Sequence, residues 1–266
     1  MWRPIERLTR YAEAAWIDLR VFLAGKTDPD SPPLRLRFVG DGDFEAVGDE
    51  LADLVLAHGR VHPNSTLLDI GCGIGRVAQS LARRLPREVE YDGFDVVRGA
   101  IRWCRRRITR DHPNFRFRHV SVRSSEYALF GVPAAEFRFP SPNERFDCAF
   151  AFSLFTHLTL PEMSRYLRES SRVLKPGGRL VATFFLLNEE STPRLASLQG
   201  LYRFPVIDGP MRLADGANPA EAVAIDEGAL AAEIIAAGFR RHTMLRGQWC
   251  GRAAAASFQD LVVCEK

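Results

Sequence analysis

The feature that most constrains this chain is a short apolar segment that runs directly into three closely spaced glycines. Residues 67–70 are followed by Gly71, Gly73 and Gly75, and a helical pattern begins immediately after them. Because glycine lacks a Cβ, such a loop can turn sharply and let its backbone approach a ligand. The order strand, glycine loop, helix is typical of nucleotide-binding α/β proteins.

From residue 64 onward, short β-rich runs alternate with helical segments, which predicts a parallel sheet covered by helices. The predicted strands cover residues 66–70, 90–94, 115–122, 146–153, 179–187, 239–246 and 257–265. The best-marked helix begins after Thr159, where a proline in the first turn and Glu162 complete a capping pattern. It is expected to end near Leu174, before the glycines of residues 175–178.

Three regions lie outside this alternation, one before the α/β domain and two inserted in it. Residues 1–60 form a predicted N-terminal helical cover, and residues 61–266 form the α/β domain, with insertions at 123–145 and 188–225. Each insertion directly follows a strand, so we expect both to lie over the carboxyl ends of the sheet, where ligands bind. The N-terminal helix is amphipathic, with Trp2, Trp16 and Phe22 on its apolar face. A cover packed on the core is favoured over an anchor on a membrane surface.

Composition excludes several classes of protein. No apolar run approaches the roughly 18 residues of a membrane span, and we expect a cytoplasmic protein without a signal peptide. The five cysteines form no ligand cluster, so neither disulfides nor a metal site is expected. The net charge of +3 does not favour nucleic acid. An arginine-rich run at residues 98–110 is interpreted as a solvated helix face, with a phosphate-binding patch as the alternative.

The spacing of the glycines narrows the kind of ligand. Arg76 stands where the dinucleotide fingerprint has its last glycine, so the ligand need not contain phosphate. Asp95 ends the next predicted strand, twenty residues beyond Gly75. A carboxylate at that position can accept hydrogen bonds from both ribose hydroxyls of an adenosine ligand.

These segments together resemble the class I methyltransferases that use S-adenosylmethionine (SAM) and release S-adenosylhomocysteine (SAH). The glycine segment at 67–76 is similar to their first motif, Asp95 to their ribose acid, and residues 172–178 to the turn before their fifth strand. Ser153 to His157 and Trp249 to Arg252 resemble a bacterial subfamily. The resemblance implies a Rossmann-like sheet of seven strands, mostly parallel with an antiparallel last strand, and helices on both faces.

The resemblance also implies which residues contact the cofactor. Asp69 would order the loop and the SAM amino group, Gly71 to Gly75 would pass the methionine moiety, Asp95 would hold the ribose, and Val96 would pack on the adenine. The complete predicted set is Asp69, Ile70, Gly71, Cys72, Gly73, Gly75, Asp95, Val96, Ser121, Val122, Phe152 and Ser153. Many relatives carry an acid where this chain has Ser121, which replaces only part of the adenine contact.

The sequence constrains the methyl acceptor less than it constrains the cofactor. If the acceptor is a hydroxyl, a base must take its proton, and His157 is the best candidate because histidine titrates near neutral pH and follows the fourth strand. The alternative is that His157 orders the loop. Phe155, Trp249, Arg252 and Gln259 are further candidates for acceptor contact. For Trp249 and Arg252 the alternative is packing of the sheet end and an ion pair to Asp260.

The leading hypothesis is O-methylation of a small molecule or glycan. N-methylation of an amine is the second hypothesis from the same class, and a catalytically silent SAM-binding module or a nucleotide-dependent oxidoreductase are the hypotheses from other classes. The sequence leaves the acceptor and the oligomeric state open, because one scaffold hosts many chemistries.

Overall fold

A ten-stranded sheet forms the centre of the protein in a computed structural model. The structure describes residues 4–25, 32–37, 42–123, 130–195, 203–253, 255 and 257–266, with side chains from residue 12 onward. The strands are β1 (Thr66–Ile70), β2 (Glu90–Asp95), β3 (Phe115–His119), β4 (Val122–Arg123), β5 (Val132–Pro133), β6 (Phe146–Ala151), β7 (Leu174–Leu187), β8 (Val206–Asp208), β9 (Met211–Leu213), β10 (Val223–Asp226), β11 (Arg241–Leu245) and β12 (Asp260–Glu265).

Helices connect most of these strands. They are α1 (Pro4–Leu23), α2 (Phe44–His58), α3 (Arg76–Arg84), α4 (Arg98–Cys104), α5 (Leu160–Val173), α6 (Ser191–Arg194) and α7 (Glu227–Ala236). A wider helical turn, Arg105–Thr109, continues α4, and short 3-10 turns lie at Leu34–Leu36, Ala134–Glu136 and Phe155–His157. The alternation of strands and helices predicted from residue 64 onward is confirmed.

Strand order places the carboxyl ends of the parallel strands at one edge of the sheet. The order β3, β2, β1, β6, β7 is parallel throughout. β12 pairs with β7 in the antiparallel sense, and β11 pairs with β12, so β11 runs parallel to β7. The mostly parallel sheet is therefore confirmed, and the loops after β1, β2, β6 and β11 open on the same edge.

The predicted count of seven strands is wrong. Seven strands match the predicted segments, but the insertion at 188–225 contributes β8, β9 and most of β10, which extend the same sheet. The extension is possible because β7 is 14 residues long and changes partner along its length. Residues 179–184 pair with β12, and residues 185–187 pair with β10. The end of β7 therefore places the start of this insertion at the same edge of the sheet as the loops after β1, β2, β6 and β11.

Both faces of the sheet are packed, because alternate side chains of each strand point to opposite sides. On one face Phe94, Phe139 and Tyr166 form an aromatic group with ring centroids 5.0–5.2 Å apart. On the other face Tyr91 stacks on Phe115 at 4.7 Å. Full burial of one such side chain stabilises the fold by about 1.5–3 kcal/mol. The two cores hold the strand ends in fixed positions.

The predicted start of α5 is confirmed at Thr159, whose backbone N–H donates to the Glu162 carboxylate at 2.8 Å. This bond satisfies one of the N–H groups that a helix start leaves unpaired. The helix ends at Val173 and passes straight into β7, where Gly177 adopts a φ of +79°. A left-handed residue favours glycine there, in agreement with the expected turn.

The described part of α1 leaves large apolar side chains exposed. Asp18 fixes the helix by accepting the backbone N–H of Leu34 at 2.7 Å and a hydrogen bond from the Arg35 guanidinium at 2.8 Å. Trp16 and Phe22 remain 61% and 66% exposed. The side chain of Trp2 lies outside the described residues, so the helical cover stays a prediction. Among the described residues, we find no helix that meets the length and apolarity needed to cross a membrane.

Candidate functional site

The glycine loop is tied to the end of β2 by its own backbone. The N–H groups of Gly71 and Cys72 both donate to the Phe94 carbonyl at 3.0 Å. The N–H of Gly73 donates to the Asp95 carboxylate at 2.8 Å. The end of β2 therefore sets the position of the loop, and Gly73 and Asp95, both predicted to contact the cofactor, are bonded to each other.

The three glycines have different roles. All three have positive φ angles, of +77°, +52° and +76° in chain order. A Cβ on Gly75 would lie 2.7 Å from the Ile108 side chain and 3.0 Å from the Cys104 sulfur, so Gly75 is required for packing of α3. A Cβ on Gly73 would meet no atom within 4 Å. The open side of the loop, where a ligand can approach, is therefore at Gly73.

Asp95 has both oxygens oriented by backbone donors. One oxygen accepts from Gly73 and the other accepts from the Val97 N–H at 2.7 Å. Burial raises the pKa of Asp95, and the hydrogen bonds from Val97 and Gly73 oppose that shift. A carboxylate has about four acceptor sites, so Asp95 keeps acceptor capacity for ligand hydroxyls beyond its backbone hydrogen bonds. This arrangement fits a ribose diol.

Asp69 lies buried behind the loop and is bonded to a residue that the sequence did not reveal. The Tyr91 hydroxyl donates to its carboxylate at 2.6 Å, and Tyr91 is fully buried. Burial raises the pKa of Asp69 to about 7, the Tyr91 hydrogen bond opposes the shift, and the charge of Asp95 adds to it. The only signal in the sequence was that Tyr91 places a hydroxyl on the strand that ends in Asp95.

Ionisation of Asp69 is expected to make stability depend on pH. The folded pKa of about 7 lies above the ordinary 3.8, so the folded state keeps a proton that the unfolded state has lost over that window. The free energy of unfolding should therefore fall as pH rises from about 4 to 7. Between pH 5 and 7 the fall should be about 2–3 kcal/mol larger than in the Asp69→Asn variant. Urea denaturation across this range measures it, and equal slopes would contradict it.

The loop after β6 brings Ser153 and Gln259 together. Ser153 is a non-glycine residue with a φ of +52°, and its N–H donates to the Thr183 hydroxyl at 2.9 Å. Its own hydroxyl donates to the Gln259 side-chain oxygen at 3.2 Å. Backbone held in this region costs free energy and is concentrated at functional sites. Leu154 comes next and lies against Gly71, which places this loop beside the glycine loop.

His157 ties the same loop to the second insertion. Its Nδ1 lies 2.9 Å from the carbonyl oxygen of Ala220. Because a carbonyl only accepts, Nδ1 carries the hydrogen, and the neutral ring then has its lone pair on Nε2. The ring is half-buried. One residue thus has both a contact that orders the loop and a nitrogen able to take a proton.

The hydroxyl of Thr156, in the same turn, is buried and has no hydrogen-bond partner among the described residues. A buried polar atom without a partner is costly. Thr156 was not among the predicted site residues, although it lies within the Ser153 to His157 segment on which the resemblance partly depends.

Phe155 and Trp249, which were predicted to contact an acceptor, have packing roles in the structure. Phe155 is fully buried and stacks on Phe184 at 4.7 Å. Trp249 is buried against Phe185, with 5.1 Å between ring centroids, and its indole N–H donates to Asp260.

Arg252 forms an ion pair with Asp260 at 3.1 Å, and Asp260 is completely buried. Asp260 also accepts the backbone N–H of Leu186 at 2.8 Å and that of Gly247 at 2.7 Å. These are the contacts of the structural alternative for Trp249 and Arg252.

The remaining predicted cofactor residues are divided between the core and the surface. Ile70 and Val122 are buried in the core, and Cys72 packs closely on Gly93. Val96 and Phe152 are half-buried, whereas Ser121 is exposed. The two half-buried residues, on the loops after β2 and β6, keep apolar surface available to a planar ring.

The side chains and the backbone of the candidate site fit SAM. Asp95 offers oriented acceptors for the ribose hydroxyls, and Gly73 leaves open space on the loop. Burial is the main cause of the raised pKa of Asp69, and the charge of Asp95 adds to it, so a cationic ligand nearby would favour the ionised form of Asp69. In the described ranges no three histidine, cysteine or acidic side chains are grouped to hold a metal ion.

Comparison with known proteins finds similarity to methyltransferases over part of the chain. Residues 67–178 match the family model described as a methyltransferase domain. That segment begins at β1 and ends in β7, and it includes the glycine loop, Asp95 and His157. Two features of the site therefore lie outside the match, namely the insertion that carries Ala220 and the C-terminal strands.

Two curated relatives cover about the same part of the chain. The ubiquinone/menaquinone biosynthesis C-methyltransferase UbiE of Geotalea daltonii is 31% identical over 55% of this chain and 57% of its own length. The ubiquinone biosynthesis O-methyltransferase of Alkalilimnicola ehrlichii is 26% identical over 50% of this chain and 46% of its own length. The chain thus spans about half the length of these relatives.

A solved structure extends the likeness to nearly the whole fold. The 1,6-didemethyltoxoflavin-N1-methyltransferase of Burkholderia thailandensis, determined with its acceptor and SAH, covers 97% of this chain and 89% of its own with a TM-score of 0.51. Its sequence identity is 18%, so the likeness shows the fold alone.

Proposed function

We propose that the protein is a class I SAM-dependent methyltransferase that transfers a methyl group from SAM to a hydroxyl of a small molecule, which the match of residues 67–178 to a methyltransferase-domain model supports. The observation that carries the proposal is the coupling of the open glycine loop to Asp95. The Gly73 N–H fixes one carboxylate oxygen at 2.8 Å, beside a loop surface that no other atom fills. A glycan hydroxyl is the second acceptor class that we include.

Each residue of the loop has a defined task in this proposal. Asp95 accepts hydrogen bonds from the ribose hydroxyls, and its orientation by two backbone N–H groups means that little order is lost on binding. Asp69 lies behind the loop with a pKa raised to about 7, and the cationic part of the cofactor would favour its ionised form on binding. Val96 and Phe152 border the adenine. When bound, SAM supplies an electrophilic methyl group on a sulfonium.

His157 takes the acceptor proton in this proposal. The Ala220 carbonyl holds hydrogen on Nδ1, so the lone pair on Nε2 is the atom that receives the proton. The same contact joins the loop after β6 to the second insertion, so the base is carried by residues from two segments that border the acceptor. Positioning of the acceptor in a largely dry pocket would supply much of the remaining acceleration.

One of the relatives favours a second possibility, because UbiE is a C-methyltransferase. A base at His157 serves C-methylation as well, by removing a proton from the acceptor. N-methylation needs the base less, and a silent SAM-binding module needs none. The position of the new methyl group therefore distinguishes these functions.

Incubation with methyl-¹³C SAM and parallel panels of phenols and quinols, sugars, and amines tests the proposal. We expect SAH release and a ¹³C signal in the chemical-shift range of a methyl ether. A signal on carbon or nitrogen would reassign the acceptor atom. Saturable SAM binding with no SAH release from any panel would support the silent module, and binding of NAD in place of SAM would overturn the cofactor assignment.

A further inference from the structure

A second concave site lies on the helix that follows β2. One face of α4 and its continuation, together with the end of β3, encloses a cavity of about 300 Å³. The cavity is lined by Arg98, Ile101, Arg102, Arg105, Arg106 and His119. The arginines recur at helical spacing, so their guanidinium groups converge on one side of the helix. The run that we interpreted as a solvated face thus borders a pocket.

Among the described residues, no acidic side chain balances the charge of this pocket. None of its four arginines forms an ion pair with another described residue, and none of the described residues that line the cavity is acidic. Nearby, Arg116 pairs with Glu90 and Asp92, so acidic partners are present on the adjoining strands but are directed elsewhere. Like charges at helical spacing destabilise a helix. A bound anion would remove that repulsion.

The geometry of the pocket is partly fixed before any ligand binds. The Arg105 Nε donates to the Phe117 carbonyl at 2.8 Å, which holds its guanidinium against β3. Ile101 is buried and gives the pocket an apolar floor. His119 is half-buried at the end of β3 and adds a donor that becomes cationic on protonation. Fixed donors lower the free-energy cost of ordering the site when a ligand binds.

We propose that this pocket binds a small phosphoryl anion of about the size of pyrophosphate, at a site separate from the SAM site. Guanidinium groups match phosphate oxygens in pairs, and four of them suit a ligand of several negative charges better than a single carboxylate. The volume is that of a small-ligand pocket. Among the described residues, no Phe, Tyr or Trp side chain lines it as a stacking platform for nucleic-acid bases.

The pocket adjoins the ribose end of the proposed SAM site. His119 is the register partner of Asp95 on the neighbouring strand, and its charge lowers the pKa of Asp95. The anion site itself does not depend on the proposed methyl transfer. Binding of the two ligands is expected to be compatible, because Asp95 directs its oxygens to Gly73 and Val97, whereas the anion is held by side chains of α4.

Isothermal titration calorimetry of the full chain with inorganic pyrophosphate tests the proposal. We expect one ion per chain, with affinity that falls as salt rises. The double variant Arg102→Gln/Arg106→Gln should bind at least about 10-fold more weakly, since two charge-assisted contacts are lost. Its thermal midpoint should be unchanged or higher, because repulsion is relieved. The control Arg168→Gln removes an exposed arginine of α5 and should bind like the parent.

Three results would overturn the proposal. The first is the absence of a saturable heat of binding with pyrophosphate, and the second is equal affinity in the double variant and the parent. The third is loss of pyrophosphate binding when SAH saturates the protein. A single-stranded RNA that binds at lower concentrations than pyrophosphate, with the same dependence on Arg102 and Arg106, would instead assign the face to nucleic acid. Retained pyrophosphate binding in the presence of SAH would support two separate sites.

Discussion

Asp95→Ala is expected to weaken SAH binding by about 100-fold or more. The substitution removes the two acceptor oxygens proposed to hold the ribose, and each charge-assisted hydrogen bond contributes about 1.5–3 kcal/mol. It also leaves the Gly73 and Val97 N–H groups without their acceptor, so the loop loses its tie to β2. Calorimetric titration with SAH measures the loss, and a thermal scan establishes that the variant is folded.

Two further variants separate the ribose contact from the loop contact. Asp95→Asn keeps one oxygen that can accept from Gly73, so it should retain the loop while losing one ribose acceptor and the charge. Its affinity should therefore lie between those of the parent and Asp95→Ala. Asp92→Asn changes a similar residue on the same strand that instead pairs with Arg116 at 2.9 Å, and it should bind SAH normally. Parent-like affinity in Asp95→Ala would remove Asp95 from the site.

His157→Ala is expected to lower kcat by about 10²–10⁴-fold while SAH affinity stays within about twofold of the parent. The lone pair on Nε2 is lost, and so is the Nδ1 hydrogen bond to Ala220. If the ring acts as a base, the pH–rate profile should also lose the limb that reports its ionisation. Steady-state kinetics on an identified acceptor, measured across pH 5–9, provide all three values.

His157→Asn distinguishes a base from a residue that only orders the loop. The asparagine amide can donate to the Ala220 carbonyl in place of Nδ1, but it has no group that accepts a proton near neutral pH. A base predicts that both variants lose activity and the same pH limb. Near-parent kcat in His157→Asn, with loss only in His157→Ala, would assign His157 to loop positioning and contradict the proposed proton transfer.

Much of the fold could be predicted from the sequence, because local signals and long-range packing agree there. β1 was predicted with its observed bounds, and α5 with its observed start, where Thr159 and Glu162 satisfy the capping pattern. The count of strands could not be predicted. β8 and β9 are three residues each and lie in a segment rich in proline, glycine and polar residues, and they form only because the long β7 offers an edge for β10.

The positions of candidate site residues could be predicted where they depend on backbone conformation and on charged side chains. Gly73 and Asp95 are identified by spacing and are bonded to each other. Side-chain packing was less predictable, since Gly75 fits against Cys104 and Ile108 from a helix about thirty residues away. The bond from Tyr91 to Asp69 also depends on the register of β1 and β2.

The C-terminal residues show a second reason why the orientation of a side chain cannot be predicted from the sequence. Trp249 and Arg252 follow the penultimate strand at the ligand edge, as expected, yet both direct their polar atoms to Asp260. A residue can lie near a site in the topology while a buried carboxylate determines its orientation. Gln259, next to that carboxylate, is instead bonded to Ser153 on the loop after β6.

The structure of the protein in complex with SAH tests the central claim most directly. We predict that the ribose hydroxyls lie within hydrogen-bond distance of both Asp95 oxygens, that the methionine moiety passes Gly73, and that the sulfur faces a space bordered by His157. Binding of SAH away from Asp95 and Gly73, or with its sulfur directed away from the loop after β6, would contradict the proposed site.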